Sequence, residues 1–501
     1  MAESGRRAPL WREGAGAGAG GLERAVAAAE AGGGGGVEAR ADAGGGKGRG
    51  LFWRGPGSLA PGTLVFRERP LAAVQHAANR AAAPCCQRCH RFIGRGESLL
   101  AACLRGDVSP AGAAGGTSGS AGRINPQQLP RWEAAMAAGD FAPPATGIPC
   151  RGGCGIEFCG VTCEEEAWTG AHGLLCPGGG LAAPWEEALS VARAEELEEK
   201  GMAAAAPRKR ARTDGSDRRY WAAAFRDHAA ATNDALALAG ICVADVLARA
   251  RDRLAACSTA SPKAADEALL WAWEPYGLGW KALWWECVPC PPEEAEEDGG
   301  EPEFRAALRQ LAGDSALLLR RALYDARFAA LFTDEVLGAL VGMFELNNLD
   351  VVVSNPLARY FRYMEDLPGE AEGGDASAGA DKATAADLGA LVEQRVDDGV
   401  DCHCSGTGFF RAQSLMNHSC EPNCAAQKGD ADADNAAMLY SLKPIQPGEE
   451  LTISYIEERD EDGELLPAAE RRMLLQDYGF ECRCPLCVAE DVRREGSGGG
   501  R

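Results

Sequence analysis

Apolar positions along this chain change period several times, and each change marks a different kind of element. Near the start, Leu51-Phe52 and Leu64-Val65-Phe66 are short runs separated by Gly and Pro turns. They read as a small antiparallel sheet beginning near Gly46 and ending near Leu71. From 181 to 340 the period becomes helical, with Leu236, Ala239, Val243 and Leu247 on one stripe. Trp271, Trp273, Trp280, Trp284 and Trp285 crowd the same region and are expected in a helix–helix core. Further helices lead to Phe344–Val353, where Asn347-Asn348 opens a strand, and Phe409-Phe410 opens another. Leu451-Thr452-Ile453-Ser454-Tyr455 has strand character. The stretch between them, Ser414-Leu415-Met416-Asn417-His418-Ser419-Cys420-Glu421-Pro422-Asn423-Cys424, fits neither period. It is too polar for a core strand and too rich in breakers for a helix. Residues 1–45 and 106–147 are low in complexity and expected to be disordered. Segment 368–400 reads as an acidic linker ending in a short helix, and 488–501 as a tail.

Composition narrows the picture. The chain has 501 residues, 64 of them glycine, which leaves a core of about 350–400 ordered residues. No run of 18 apolar residues occurs, so no membrane span is expected. The N-terminus lacks a secretory apolar region, and Glu3, Glu13 and Glu23 count against an organelle transit peptide. Twenty cysteines in such a chain point to thiolates on metal rather than disulfides. The net charge of −22 disfavours nonspecific duplex binding and would suit a basic protein partner, although solubility explains it equally well. Pro207-Arg208-Lys209-Arg210-Ala211-Arg212 stands out as a basic cluster, either a nuclear import signal or a solvated loop.

Cysteine spacing carries the first candidate chemistry. Cys86/Cys89, Cys150/Cys154, Cys159/Cys163 and His172/Cys176 are four pairs, each spaced to put two ligands on one turn. Eight ligands suffice for two closed tetrahedral zinc sites, one with four cysteines and one with three and a histidine. Cys85 or His90 could replace a neighbour as ligand. A third group, Cys482, Cys484 and Cys487, supplies three ligands and needs a fourth. Cys402 and Cys404 are read as thiols without a metal.

Together Asn417-His418-Ser419-Cys420, Gly448-Glu449-Glu450-Leu451-Thr452-Ile453-Ser454-Tyr455 and Cys482-x-Cys484-x-x-Cys487 resemble a SET-domain protein methyltransferase. With the paired cysteines, which look like a cross-braced MYND finger, the chain is similar to the SET-and-MYND group and its plant trithorax-related members. The long gap between Cys89 and Cys150 departs from the usual finger. The resemblance implies a mixed α+β fold: small antiparallel SET sheets with a pseudoknot, an inserted finger, a helical insert and a cysteine-rich post-SET segment. It divides the chain into 46–75 and 341–457 (SET), 85–176 (finger), 181–340 (helical) and 471–487 (post-SET).

It further implies methyl transfer from S-adenosylmethionine to a protein lysine, histone tails being the default substrate. Tyr455 and Tyr478 are the expected catalytic and channel tyrosines. Lys47, Gly48, Gly50, Asn347, Ser414, Leu415, Asn417, His418, Tyr455 and Phe480 are expected around the cofactor. Cys420 is the implied fourth ligand for Cys482, Cys484 and Cys487, with Cys424 the weaker candidate, making about three structural zinc ions. A monomer in the nucleus is expected, with the cytoplasm as a second location and partner peptides at the finger. The competing reading is a catalytically silent scaffold that binds such peptides.

Overall fold

None of the short β-rich runs is long enough to bury a face alone, so they assemble into several small sheets. The computed structural model describes residues 9–12, 22–23, 26–27, 30–31, 36–44, 47–105, 129–138, 142–180, 183–199, 216–257, 261–279, 282–296, 299–367, 376–428 and 432–498. In chain order the strands are β1 Glu30–Ala31, β2 Val37–Arg40, β3 Gly50–Trp53, β4 Leu64–Glu68, β5 Ala72–Gln75, β6 Ile148–Pro149 and β7 Glu157–Phe158. There follow β8 Asn348–Val353, β9 Cys404–Phe409, β10 Asn417–His418, β11 Cys424–Ala426, β12 Ala437–Ser441 and β13 Glu450–Ile453. The sheet orders are β1-β4-β12-β11, β10-β13-β3-β2, β5-β9-β8 and β6-β7. The molecule is thus a mixture of helices and small, mainly antiparallel sheets.

Two large apolar clusters hold it. One is built from the helices between 185 and 347, where Leu236, Ala239, Val243 and Leu247 on the helix Asp234–Ala255 are all buried. The other lies under the sheets that carry the polar motif and includes Leu51, Phe66, Val351, Leu415 and Leu451. Phe409, at the end of β9, reaches the helical cluster, while the next residue, Phe410, faces the sheet cluster. This pair of rings therefore closes β9 and locks the two cores together, rather than opening the strand.

Several expectations need correction. Val37–Arg40 forms a strand against β3, so residues 1–45 are not uniformly disordered; the edge of β3 offers that segment a complete backbone ladder. Trp132–Ala138, inside the supposed low-complexity insert, is a helix whose Trp132 packs on Tyr360 at 5.7 Å. The expected linker at 368–400 carries a 22-residue helix, Ala376–Asp397. Its alanine content favours helix and lets it lie close against Pro356–Asp366. The last segment is helical from Pro485 to Gly498. Trp273, Trp284 and Trp285 are buried, but Trp271 is exposed beneath Arg249 and Arg253. Asn347 ends the helix Asp334–Asn347, and the strand begins one residue later. Trp280 and the basic cluster 207–212 lie outside the described residues.

Candidate functional site

The polar motif makes sense once its side chains are counted as part of a sheet. β10 runs parallel to β13, with Asn417 opposite Thr452 and His418 opposite Ile453. Beyond it, Asn423 imitates a strand through its side chain. Its Nδ2 donates to the Glu450 carbonyl at 2.8 Å, and its Oδ1 accepts the Thr452 N–H at 2.8 Å. The breakers that argue against any regular element are therefore the residues that let the chain cross beside β13 with its backbone partners supplied.

Asn417 ties this motif to the glycine-rich turn. Its Nδ2 donates to the Arg49 carbonyl and to Glu450 Oε1, each at 2.8 Å, while Lys47 pairs with Glu450 Oε2 at 2.6 Å. Gly48 adopts φ +76°, a left-handed conformation that favours glycine. At Gly50 a Cβ would lie 2.8 Å from Ala43 Cβ and 3.1 Å from Asn417 Nδ2, so no side chain fits. In the same turn Arg49 Nη1 is buried without a partner. A cationic donor held ready beside a glycine-lined turn fits an anionic group such as an amino-acid carboxylate.

His418 is 5% exposed. Burial lowers its pKa to about 4, so the ring is neutral. Nδ1 accepts the Tyr455 N–H at 3.1 Å, which leaves the proton on Nε2 to point at Cys420 Sγ, 3.3 Å away. The imidazole is a strut between Tyr455 and the cysteine cluster. Tyr455 donates its phenolic proton to the Met416 carbonyl at 2.5 Å, and burial raises its pKa, so it is protonated at neutral pH. Tyr478 packs on Tyr455 at 4.9 Å between ring centres and donates to the Tyr455 carbonyl at 3.2 Å. Phe480, 40% exposed, lies 6.1 Å from His418 and 6.3 Å from Tyr455.

A cavity of about 450 Å³ opens on one side of Tyr455. Of the expected residues, Asn347, Ser414, Tyr455 and Tyr478 line it. Lys47, Gly48, Gly50, Asn417, His418 and Phe480 do not; they form the hydrogen-bonded and aromatic group just described. The Leu415 side chain is buried in the sheet core. Asn347 Nδ2 donates to the Met343 carbonyl and Asn348 Nδ2 to Thr407 Oγ1. A larger cavity of about 810 Å³, between the helices Pro356–Asp366 and Ala376–Asp397, contains none of these residues. Sequence reading missed Arg49 and Glu450. Each is an ordinary polar residue in the sequence, and only its burial or its partners single it out.

The cysteines gather into three groups. Cys86, Cys89, Cys159 and Cys163 form one, Cys150, Cys154, His172 and Cys176 a second, and Cys420, Cys482, Cys484 and Cys487 a third. Within each, the ligand atoms lie within 4.8 Å of one another. Tetrahedral zinc with Zn–S near 2.3 Å sets sulfurs about 3.8 Å apart. Cys420 lies 3.8 Å from Cys482 and 3.6 Å from Cys487, and Cys89 lies 3.5 Å from Cys159, so the donor sets suit zinc. The first and third pairs of the finger share one group, the second and fourth the other. Cys85 contacts the Cys404 thiol instead, Cys402 contacts Cys103, and His90 is buried outside both groups. Cys424 is buried in β11, outside the third group.

Comparison with known proteins agrees with this geometry. Residues 293–456 match the SET domain family. The chain is 32% identical to "Histone-lysine N-methyltransferase ATXR2" of Arabidopsis thaliana over 455 residues, 85% of each chain. It is 29% identical to "Protein-lysine N-trimethyltransferase SMYD5" of Gallus gallus, over 35% of this chain and 39% of the relative. It is 38% identical to "Histone-lysine N-methyltransferase SMYD3" of Mus musculus, over 17% and 18%. With the motif, the tyrosines and the cysteine groups in these positions, the chain belongs to the SET-and-MYND family of S-adenosylmethionine-dependent protein-lysine methyltransferases.

Proposed function

We propose that the chain methylates lysines of histone tails in the nucleus, with Tyr455 as the residue that orients the amine. The observation that carries this is the junction at Tyr455, which touches the 450 Å³ cavity on one side and the His418–Phe480 group on the other. When bound, the donor supplies a sulfonium methyl; the amine lone pair takes that carbon as the S–C pair returns to sulfur, giving a thioether and a methylammonium, which releases a proton to water.

The turn at 47–50, with Arg49, Asn417 and Phe480, holds the donor in this reading. Lysine has a pKa near 10.4 and must lose a proton before it can attack. Desolvation between Tyr455 and Tyr478 disfavours the ammonium. Because the Tyr455 proton is committed to the Met416 carbonyl, the phenolic oxygen keeps lone pairs for an amine N–H. Glu345, Asp350 and Glu457 on the cavity wall attract a cationic side chain as it enters. The histone assignment draws support from the names of two relatives and from the fit of a basic tail to a chain of net charge −22. The division into a SET core, a finger at 85–176 and a post-SET segment at 471–487 belongs to the same proposal.

Labelled donor incubated with recombinant core histones and with a proteome extract tests it. Histone lysines should take up label, and Tyr455→Phe should lower the rate on the order of 10²-fold, with a loss of stability of only about 1 kcal/mol for the hydrogen bond to the Met416 carbonyl. Label confined to other proteins would remove the histone assignment. Label that survives Tyr455→Phe unchanged would remove the role of the tyrosine.

A further inference from the structure

Two thiols outside the three cysteine groups meet at the wall of the 810 Å³ cavity. Cys103 lies on the helix Gly96–Arg105, in the long gap between Cys89 and Cys150, and Cys402 lies two residues before β9. Both line that cavity. Asn355 fixes them against each other. Its Nδ2 donates to Cys103 Sγ at 3.3 Å and to the Cys402 carbonyl at 2.8 Å, while its Oδ1 caps the helix Pro356–Asp366 by accepting the Leu357 N–H at 3.0 Å. The two sulfurs are in hydrogen-bonding contact. That contact lowers the Cys402 pKa, with Arg395 adding to it and burial opposing, and it raises the pKa of Cys103 together with burial. A thiolate is therefore favoured on Cys402, with a thiol beside it. Cys402 is 3% exposed and Cys103 fully buried, so the opening is at the sulfur whose ionisation is favoured. Such an opening suits a reagent little larger than water. A second thiol pair, Cys85 with Cys404, does not border the cavity.

We propose that Cys103 and Cys402 close to a disulfide when a hydroperoxide enters this cavity, and that the bond clamps the helix Gly96–Arg105 to the sheet β5-β9-β8. The Cys402 thiolate attacks one peroxide oxygen and the O–O bond breaks. The departing hydroxide takes up the proton that Cys402 gave up, leaving a sulfenic acid and one water. Cys103 sulfur then forms the S–S bond, and the sulfenic oxygen leaves as a second water with the Cys103 proton. One hydrogen peroxide thus takes two electrons from the pair. The bond closes a loop of about 300 residues, which restricts the unfolded chain far more than the folded one. The pair shares no residue with the Tyr455 cavity or the three cysteine groups, so the oxidised chain keeps its metal and its methyl donor.

The test titrates the zinc-loaded full chain with hydrogen peroxide. Peptide mass spectrometry without reduction should find the Cys103–Cys402 cross-link before zinc is released. The melting temperature should rise by about 5–10 °C and return with dithiothreitol. Cys402→Ser should remove both the cross-link and the rise; Cys103→Ala serves if the first variant melts early. By calorimetry, the demethylated donor should bind the oxidised and reduced chains within about twofold of each other. A pair that stays reduced while zinc leaves overturns the inference, as does Cys402 joined to a different cysteine. A cross-link that leaves the melting temperature unchanged would remove the clamp, and donor binding lost in step with the cross-link would remove its independence from the site.

Discussion

Glu68 is the residue whose position says most about how this site is held. It is 2% exposed, and its two oxygens accept the N–H groups of Ala412 at 2.8 Å and Gln413 at 3.0 Å. Burial pushes its carboxyl from 4.5 up to about 7, against the opposing effect of those backbone bonds. The folded protein thus holds this proton more tightly than the unfolded chain. Its contribution is most favourable below pH 4.5 and is lost as pH rises towards 7, a change on the order of 3 kcal/mol. Glu68→Gln cannot titrate, so its stability relative to wild type should improve between about pH 5 and 7 and level off above. Denaturant unfolding at several pH values checks this, and a difference independent of pH contradicts it. Nothing in Phe66-Arg67-Glu68-Arg69 suggests such a residue, because a charge between two arginines reads as solvated surface. Tyr455 differs: its flanking motifs mark it in the sequence, although its bond to the Met416 carbonyl depends on a turn formed 39 residues earlier.

At the scale of elements, the C-terminal segment shows how a helix can be specified from outside itself. Arg471, on the helix Ala468–Leu474, has a fully buried side chain. It donates to Cys487 Sγ at 3.4 Å, to Glu490 Oε1 at 3.1 Å and to the Leu466 carbonyl. Arg472 pairs with Asp491 at 2.6 Å. These contacts pin the helix Pro485–Gly498, whose polar sequence reads as a tail. A guanidinium beside a thiolate group also offsets the negative charge that four cysteines bring to one ion. Arg471→Met should cost on the order of 3 kcal/mol, since it leaves Glu490 and the thiolates without their cation. It should also lower zinc content by about one ion per chain. Thermal melts and metal analysis measure both, and unchanged values would show the contact to be incidental.

For the whole molecule, the third cysteine group joins distant parts of the chain. Cys420 leaves the polar motif, while Cys482, Cys484 and Cys487 lie in the C-terminal segment that carries Tyr478 and Phe480. Zinc there would hold those rings against His418 and Tyr455, with structural zinc contributing on the order of 10 kcal/mol to folding. Chelation should therefore abolish binding of the methyl donor, measured by calorimetry, and zinc rather than magnesium should restore it. Undiminished binding after complete metal removal would uncouple the segment from the site.

By itself the sequence determined the chemistry-bearing words: the Asn-His-Ser-Cys motif, the strand ending in Tyr455, the paired cysteines and the helical stripe near 240. These are local spacings, and spacing survives in one dimension. Tertiary structure alone decided that the segments at 37–40, 132–138, 376–397 and 485–498 are ordered, because each relies on a neighbour's backbone or apolar face rather than its own period. It also decided which polar residues lose water. Glu68 and Arg471 look ordinary in the chain and become significant only when burial removes their solvent and leaves the fold to satisfy them.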